Sequence, residues 1–236
     1  MKRTIPLVAA LVIAFAGLAS AQTTHVVQVF NNFYTPQTVN IQVGDSVRWE
    51  WKAGVHTITN GVSSLCPNAG AIFDGSVSSG LPTFTFTFNE SGKYDYFCRP
   101  HELLGMVGVV NVSGLSINGT PSAGNPVGFS VANLPSSDDG GNALVLLSIS
   151  GTSPGIALPG GACSGTVDVR FDPITQLGLS IAPFLTTGTI AGGAASTFNI
   201  PLPGTTPVGL TVFFGGVVIN GGSFGSILPT ESVVTQ

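Results

Sequence analysis

The sequence is short of charge. Only 8% of its 236 residues are Asp, Glu, Lys or Arg, against about 25% in an average globular chain. Seven Lys+Arg against 11 Asp+Glu give a net charge of −4. So few scattered cations cannot neutralise a run of phosphates, which excludes a nucleic-acid partner. Scarce Glu, Lys and Arg beside 32 Gly and abundant Thr argue against a helical protein. Three His are too few for an oxidase with several copper sites. Apolar residues are not in short supply: they make up 43%, enough for a packed core, which excludes a disordered chain.

The N-terminus reads as an address. Met1-Lys2-Arg3 is a short positive start, Ile5 to Ala19 is apolar, and Ala19-Ser20-Ala21 has the small-x-small form of a cleavage site. This is the pattern of a secretory signal peptide over residues 1–21, cut near Ala21. The apolar stretch is short and holds Pro6 and Gly17, which disfavours a membrane anchor. Cleavage removes Lys2 and Arg3 and leaves five basic residues against 11 acidic, a net charge of −6. No later apolar run is long enough to span a bilayer. The expected product is exported, periplasmic or extracellular, in a compartment where disulfides form.

A shift in composition divides the rest. Residues 22–112 hold ten charged residues, both Trp, all three Tyr and all three His. Residues 113–236 hold six charged residues but 22 of the 32 Gly and 11 of the 16 Pro. Two domains are expected, with the boundary after Val112. In the first, short β patterns follow one another at 25–30, 39–43, 46–51, 83–88, 93–97 and 106–112. Thr83 to Phe88 alternates Thr and Phe strictly, so its three Phe share one face. Short strands at this spacing predict an all-β sandwich or barrel. Residues 60–82 read as a long irregular connection rich in Gly and Ser. The second half offers strand-like stretches at 127–132, 143–150, 166–171, 196–201 and 208–214, punctuated by Gly and Pro, and reads as a second all-β, sandwich-like domain.

One stretch carries chemistry. Cys98-Arg99-Pro100-His101-Glu102-Leu103-Leu104-Gly105-Met106 places a Cys, a His three residues on and a Met five further in a loop between two predicted strands. Upstream, His56 lies in another strand pattern, Gly54 to Thr59. Alone, each donor has an ordinary explanation: Met106 as core, His56 as strand decoration, Cys98 as half of a disulfide. Together, one thiolate, two imidazoles and one thioether match a mononuclear copper site with two His and one Cys in a plane and a weak axial Met. Cu(I) favours soft sulfur and Cu(II) favours nitrogen. A ligand set that suits neither fully has little to move when an electron arrives. His25, at the start of the mature chain, has no such support and reads as structural.

The ligand loop, with its Cys-x-Pro-His core and the Gly before the Met, resembles that of the cupredoxins, the plastocyanin-like blue copper proteins. The resemblance covers residues 25–112, with the Gly44-Asp45 turn and the Trp49 strand. It implies a Greek-key β-sandwich, one type-1 copper per chain bound by His56, Cys98, His101 and Met106, and outer-sphere electron transfer between protein partners. It further implies an electron port at the exposed edge of His101. Pro100, Leu103 and Leu104 would frame that port for a redox partner, or the two Leu pack inward. The sequence departs from the family at Thr57, where an Asn usually follows the first His and ties the two ligand loops together. A hydroxyl there is the available substitute. Arg99, if near the metal, favours Cu(I), and Glu102 opposes it.

Three Cys is an odd number. If Cys98 binds copper, Cys66 and Cys163 either bridge the two domains or stay free, while a Cys66–Cys98 pair would destroy the site. Residues 113–236 have no His to activate a Ser or Thr, so no nucleophile–base pair is available. Asp138, Asp139, Asp168 and Asp172 lack the spacing of a calcium loop and read as solvated turns. Stretches such as Leu146 to Gly155 look like the Gly-rich β modules appended to some secreted bacterial proteins. The expected function is an exported single-electron carrier and not an enzyme, because four protein ligands leave no open position for substrate. The alternative is a copper-binding or surface-interaction protein that keeps the cupredoxin domain as a scaffold.

Overall fold

The structure is a computed structural model and describes residues 21–160, 163–180, 185–197, 199–202 and 204–236. The expected signal peptide falls almost wholly on residues 1–20, outside the described residues. No helix among the described residues is long and apolar enough to cross a membrane.

The first half is built from nine strands: β1 (Thr24–Phe30), β2 (Phe33–Thr35), β3 (Thr38–Ile41), β4 (Ser46–Trp51), β5 (His56–Asn60), β6 (Asp74–Val77), β7 (Thr83–Thr87), β8 (Gly92–Phe97) and β9 (Val107–Val112). They form two sheets, in the orders β2-β1-β4-β7 and β3-β9-β8-β5-β6. The pairs β1–β4 and β3–β9 are parallel, and the rest are antiparallel. Alternation decides which face goes inward. Val27 and Val29, Val39 and Ile41, Val47 and Trp49, Tyr94 and Tyr96, and Val110 and Val112 all point into one core. Phe84, Phe86 and Phe88 share a side, as the period predicts. Phe84 lies 5.7 Å from the Trp49 ring, while Phe86 and Phe88 both pack on Phe73. Phe73 comes from the stretch read as an irregular connection, which the structure corrects in part. Phe73 is buried, and β6 pairs with β5 along Asp74–Val77. Only 61–73 and 78–82 lie outside strands.

The second half holds β10 (Leu115–Asn118), β11 (Pro126–Val131), β12 (Asn142–Ser148), β13 (Ile156–Ala157), β14 (Thr166–Val167), α1 (Pro173–Ser180), β15 (Ala195–Ser196), β16 (Ile200–Pro201), β17 (Thr211–Asn220) and β18 (Ser223–Val234). β10, β11, β15 and β16 make one sheet region, β12-β17-β18 another, and β13–β14 a short hairpin. Its cores, around Leu115, Phe129, Val145 and Phe214 and around Leu146, Val167 and Val217, contain no residue of the first half. Several expectations change here. The 208–214 strand runs on through Gly215-Gly216 to Asn220, and 166–171 shrinks to two residues. β18 is unforeseen. It holds Pro229, which reads as a breaker but sits in a bulge where Pro229 and Thr230 face one residue, Gly215, and there a missing N–H costs no ladder bond.

Two of the four aspartates read as solvated turns are not so, whereas Asp139 is exposed in a turn as expected. Asp138 and Asp172 are buried. Asp172 caps α1: its Oδ1 accepts the Thr175 N–H at 2.9 Å, with Pro173 at the first helical position. Its Oδ2 accepts from the Ser148 and Ser150 hydroxyls and from the Ile149 and Ser150 amides. Burial pushes the Asp172 carboxyl up, but these bonds outweigh it and hold it well below the usual carboxylate range. Asp168 pairs with Lys93 of the first half at 2.9 Å.

Candidate metal centre

The site lies where β5 begins and where β8 gives way to β9. Phe97 ends β8, and Cys98 follows, fully buried. Arg99–Leu104 is a short 3-10 turn with Pro100 near its start. Gly105 closes that turn at φ +76°, a conformation that glycine adopts without a Cβ penalty. Met106 then enters the core, fully buried. The Cys98 N–H donates to Met106 O at 3.0 Å, so the two ends of the loop are pinned together. His56 is the first residue of β5 and is buried.

Three donor atoms converge. His56 Nδ1 lies 3.1 Å from His101 Nδ1 and 3.7 Å from Cys98 Sγ, and His101 Nδ1 lies 3.3 Å from Cys98 Sγ. The point equidistant from all three is about 2.0 Å from each, close to the 2.0–2.3 Å bonds that first-row metals make to nitrogen and sulfur. His56 Nδ1 and His101 Nδ1 face each other at 3.1 Å, close enough to share a proton or a metal ion. Among the described residues this is the one group of three His, Cys, Asp or Glu donors that could hold a metal ion.

The surroundings select the donor atoms. His56 Nε2 is 2.9 Å from Ala53 O, so Nε2 carries the proton and Nδ1 is left free. Burial lowers the His56 pKa, the Ala53 carbonyl works against this, and the charge of a protonated His101 lowers it further. A neutral ring, ready to bind a metal, is the result. Gly54 lets the ring come this close. It has φ +81°, and a Cβ there would stand 2.3 Å from His56 Nε2.

Thr57 joins the two ligand-bearing segments. Its N–H donates to Cys98 Sγ at 3.4 Å, and its hydroxyl oxygen accepts the Arg99 N–H at 2.8 Å. The Tyr34 hydroxyl donates to Thr57 O at 2.6 Å. The link expected of an Asn is therefore made by a hydroxyl. Arg99 has a partner of its own: its guanidinium donates to Asp74 Oδ2 at 2.9 Å. That ion pair blunts the effect on the metal that an unpaired cation would have. Glu102 turns away to the Ser63-Ser64 turn, where Ser64 N lies 3.1 Å from Oε1 and 3.2 Å from Oε2. Bonds from Ser63 and Ser64 hold its carboxyl below the usual range.

Of the two readings of the leucines, the outward one holds. Leu103 is 100% exposed and Leu104 65%, with Pro100 exposed and His101 partly so. Cys66 and Cys163 form a disulfide, with Cα atoms 5.5 Å apart, and Cys98 is free. His25 pairs with Asp45 at 3.0 Å and takes no part in the site. Thr57 was marked by the resemblance, but spacing alone did not point to Asp74 or Ala53 as groups around the donors. Only a fold that brings β5 and β6 against the ligand loop reveals them.

Comparison with known proteins agrees with this geometry. Residues 28–113 match the family of copper binding proteins of the plastocyanin/azurin kind. The chain is 39% identical over 83 residues to the chloroplastic plastocyanin of Tetradesmus obliquus, an overlap of 34% of this chain and 57% of that one. It is 27% identical over 113 residues to plastocyanin of Prochlorothrix hollandica, covering 46% of this chain and 86% of that one. The chain thus spans just over half the length of the first of these relatives. Among solved structures, a copper(I) amicyanin variant is 27% identical, covering 38% of this chain and 82% of that one, with a TM-score of 0.32. Superposition at that level carries no argument of its own. The family match and the converging donors together give a single type-1 copper site, and residues 28–113 are a cupredoxin segment of the plastocyanin/azurin family.

Proposed function

We propose that this protein carries single electrons between protein partners through one copper ion, which His56 Nδ1, His101 Nδ1, Cys98 Sγ and the Met106 thioether would hold. The observation that carries this reading is the convergence of the first three atoms on one point about 2.0 Å from each, a length typical of first-row metal bonds. Met106 supports the fourth assignment by its place: it is fully buried in the same core as Cys98 and is paired with it through the backbone. Copper, when bound, supplies a one-electron couple. The chain's residues do the rest. Ala53 fixes the tautomer of His56, and Thr57 feeds an N–H to the Cys98 sulfur and draws electron density from it. Two-sheet packing keeps the donors from moving between oxidation states, and burial excludes water from Cys98 and Met106. His101 alone of the four reaches the surface, among Pro100, Leu103 and Leu104. That small apolar face suits a weak, short-lived redox partner.

The chain serves as a carrier and not a catalyst, since four protein donors leave no position for substrate. Two units make it up, a copper domain at 22–112 and an accessory β domain at 113–236, as the separate cores support. The leader-like residues 1–21 support export. Loading the purified protein with Cu(II) tests the reading. An intense blue thiolate-to-copper band and reversible one-electron reduction are expected. A colourless, redox-silent complex would leave a copper-holding scaffold instead.

A further inference from the structure

A short physical path joins the metal centre to the second half of the chain. It starts at Glu102, next to His101. The carboxylate of Glu102 accepts the Ser64 N–H on both oxygens. Ser64 belongs to a tight turn in which Leu65 N donates to Ser63 Oγ and Cys66 N donates to Ser63 O, each within 3.2 Å. Cys66 is bonded to Cys163. Between His101 and the accessory half there is thus one charge-assisted hydrogen bond, one turn and one disulfide.

Beyond its own turns and the Arg99 guanidinium, which donates to Ala69 O at 3.4 Å, the segment that carries Cys66 has little to hold it. Its ends are fixed where Gly61 N donates to Asp95 O and Gly70 N donates to Asn60 O. Between them, Ser64 and Leu65 are exposed and face outward. An exposed hydrogen bond to Glu102 must beat the entropy of ordering such a loop. The disulfide pre-orders the loop and makes that bond worth forming. The partner side is firmly placed. Cys163 lies between β13 and β14, and Thr166 O of β14 accepts Lys93 Nζ at 3.0 Å. Lys93 is on β8, the strand that runs into Cys98, and its side chain is only 7% exposed.

We propose that the Cys66–Cys163 disulfide, acting through the Ser63–Cys66 turn and Glu102, positions His101, and that a dithiol reductant releases this grip. The consequence for copper rests on His101 being a ligand, but the effect on the loop does not. Cys163 is exposed and Cys98 fully buried, so an external thiolate attacks Cys163 Sγ. The bond between the two sulfurs breaks with its electron pair on Cys66. The second thiol of the reductant then attacks the mixed disulfide, frees Cys163 and leaves the reductant as its own disulfide. Two electrons pass to the protein, and two protons end on Cys66 and Cys163. Glu102 and the disulfide are positioning groups, since neither touches the metal point.

Amide hydrogen exchange on the full chain without copper tests the proposal, residue by residue, with the bridge closed, opened by dithiothreitol, and replaced in Cys66→Ser/Cys163→Ser. The His101 and Gly105 amides, bonded to Cys98 O and Glu102 O, should exchange about fivefold faster when the bridge is open, the effect of one lost hydrogen bond. Core amides such as Val110 should not change. Glu102→Ala with the bridge closed should reproduce the change at 101 and 105 without loosening 156–167, and Glu102→Gln, which keeps an acceptor oxygen, should restore part of the protection. Faster exchange confined to 62–69 and 156–167, with His101 and Gly105 unchanged, overturns the proposal. The Cu(II) spectrum of the double variant should also shift against that of the unaltered chain. Absence of any blue band in the unaltered chain would instead overturn the copper reading, while the exchange result would still decide this one.

Discussion

Replacing Cys66 and Cys163 together by Ser should cost more stability than any other conservative pair of changes. The bridge spans 97 residues of sequence. Closing a loop of that size removes chain entropy from the unfolded state and stabilises the folded one by about 4.7 kcal/mol at 25 °C. At roughly 2–4 °C per kcal/mol for a chain of this length, the melting temperature should fall by about 10–20 °C. Apart from the loosening expected around 62–69, 101–105 and 156–167, the native structure should be unchanged, because the stability effect acts mainly on the unfolded chain. Guanidinium unfolding should be followed by two signals. Fluorescence of Trp49 and Trp51 reports the first half alone, and far-ultraviolet dichroism reports both. The two transitions should coincide in the native chain, where Lys93–Asp168, Ser91–Ala132 and Ser113–Glu231 also tie the halves. A loss below about 1 kcal/mol would refute the reasoning, since the loop term alone exceeds that several-fold.

Gly54→Ala should disturb the metal centre without touching a donor. Its Cβ would meet His56 Nε2 at 2.3 Å in a left-handed backbone, so the ring must swing away from Ala53 O, and Cu(II) affinity by titration should drop at least about tenfold, one factor per 1.4 kcal/mol. Asp172→Ala removes the acceptor of six hydrogen bonds and should destabilise the fold by about 2–3 kcal/mol in chemical denaturation. The same carboxylate gives a pH signature. Its folded pKa is depressed, so its contribution is complete above the unfolded value of about 4 and disappears as pH falls through the folded value. Stability should therefore drop less steeply below about pH 4 in Asp172→Asn than in the unaltered chain. Met106→Leu should keep the blue colour and shift the band and the reduction potential, as loss of a weak axial ligand does; an unchanged potential would argue that the thioether is not a ligand.

Where the sequence was readable, physics left few choices. Alternating Val, Trp, Tyr and Phe placed most strands of the first half to within a residue or two, because a half-buried strand has one period, while β2 and β6 escaped the pattern. His56, Cys98, His101 and Met106 stood out because a copper site accepts few residue types. What stayed hidden depends on tertiary placement. The Cys66–Cys163 pair was one of several options until the fold brought the two loops together. Leu103 and Leu104 face outward because the turn that carries them is fixed by Cys98, Pro100 and Gly105, and hydropathy alone carries no such information. In the second half, Gly215-Gly216 and Pro229 look like breaks but lie inside long strands, where a bulge absorbs the proline. The cap of α1 is legible in Asp172-Pro173 and Thr175, although composition argues against a helical protein as a whole.

The absorbance of the Cu(II)-loaded protein, beside that of Cys98→Ser, tests the central claim most directly. The account predicts an intense blue band in the unaltered chain, because the Cys98 thiolate donates charge to copper, and none in the variant, where a hydroxyl replaces the sulfur. Bound Cu(II) without colour in the unaltered chain, or the same band in both, would contradict it.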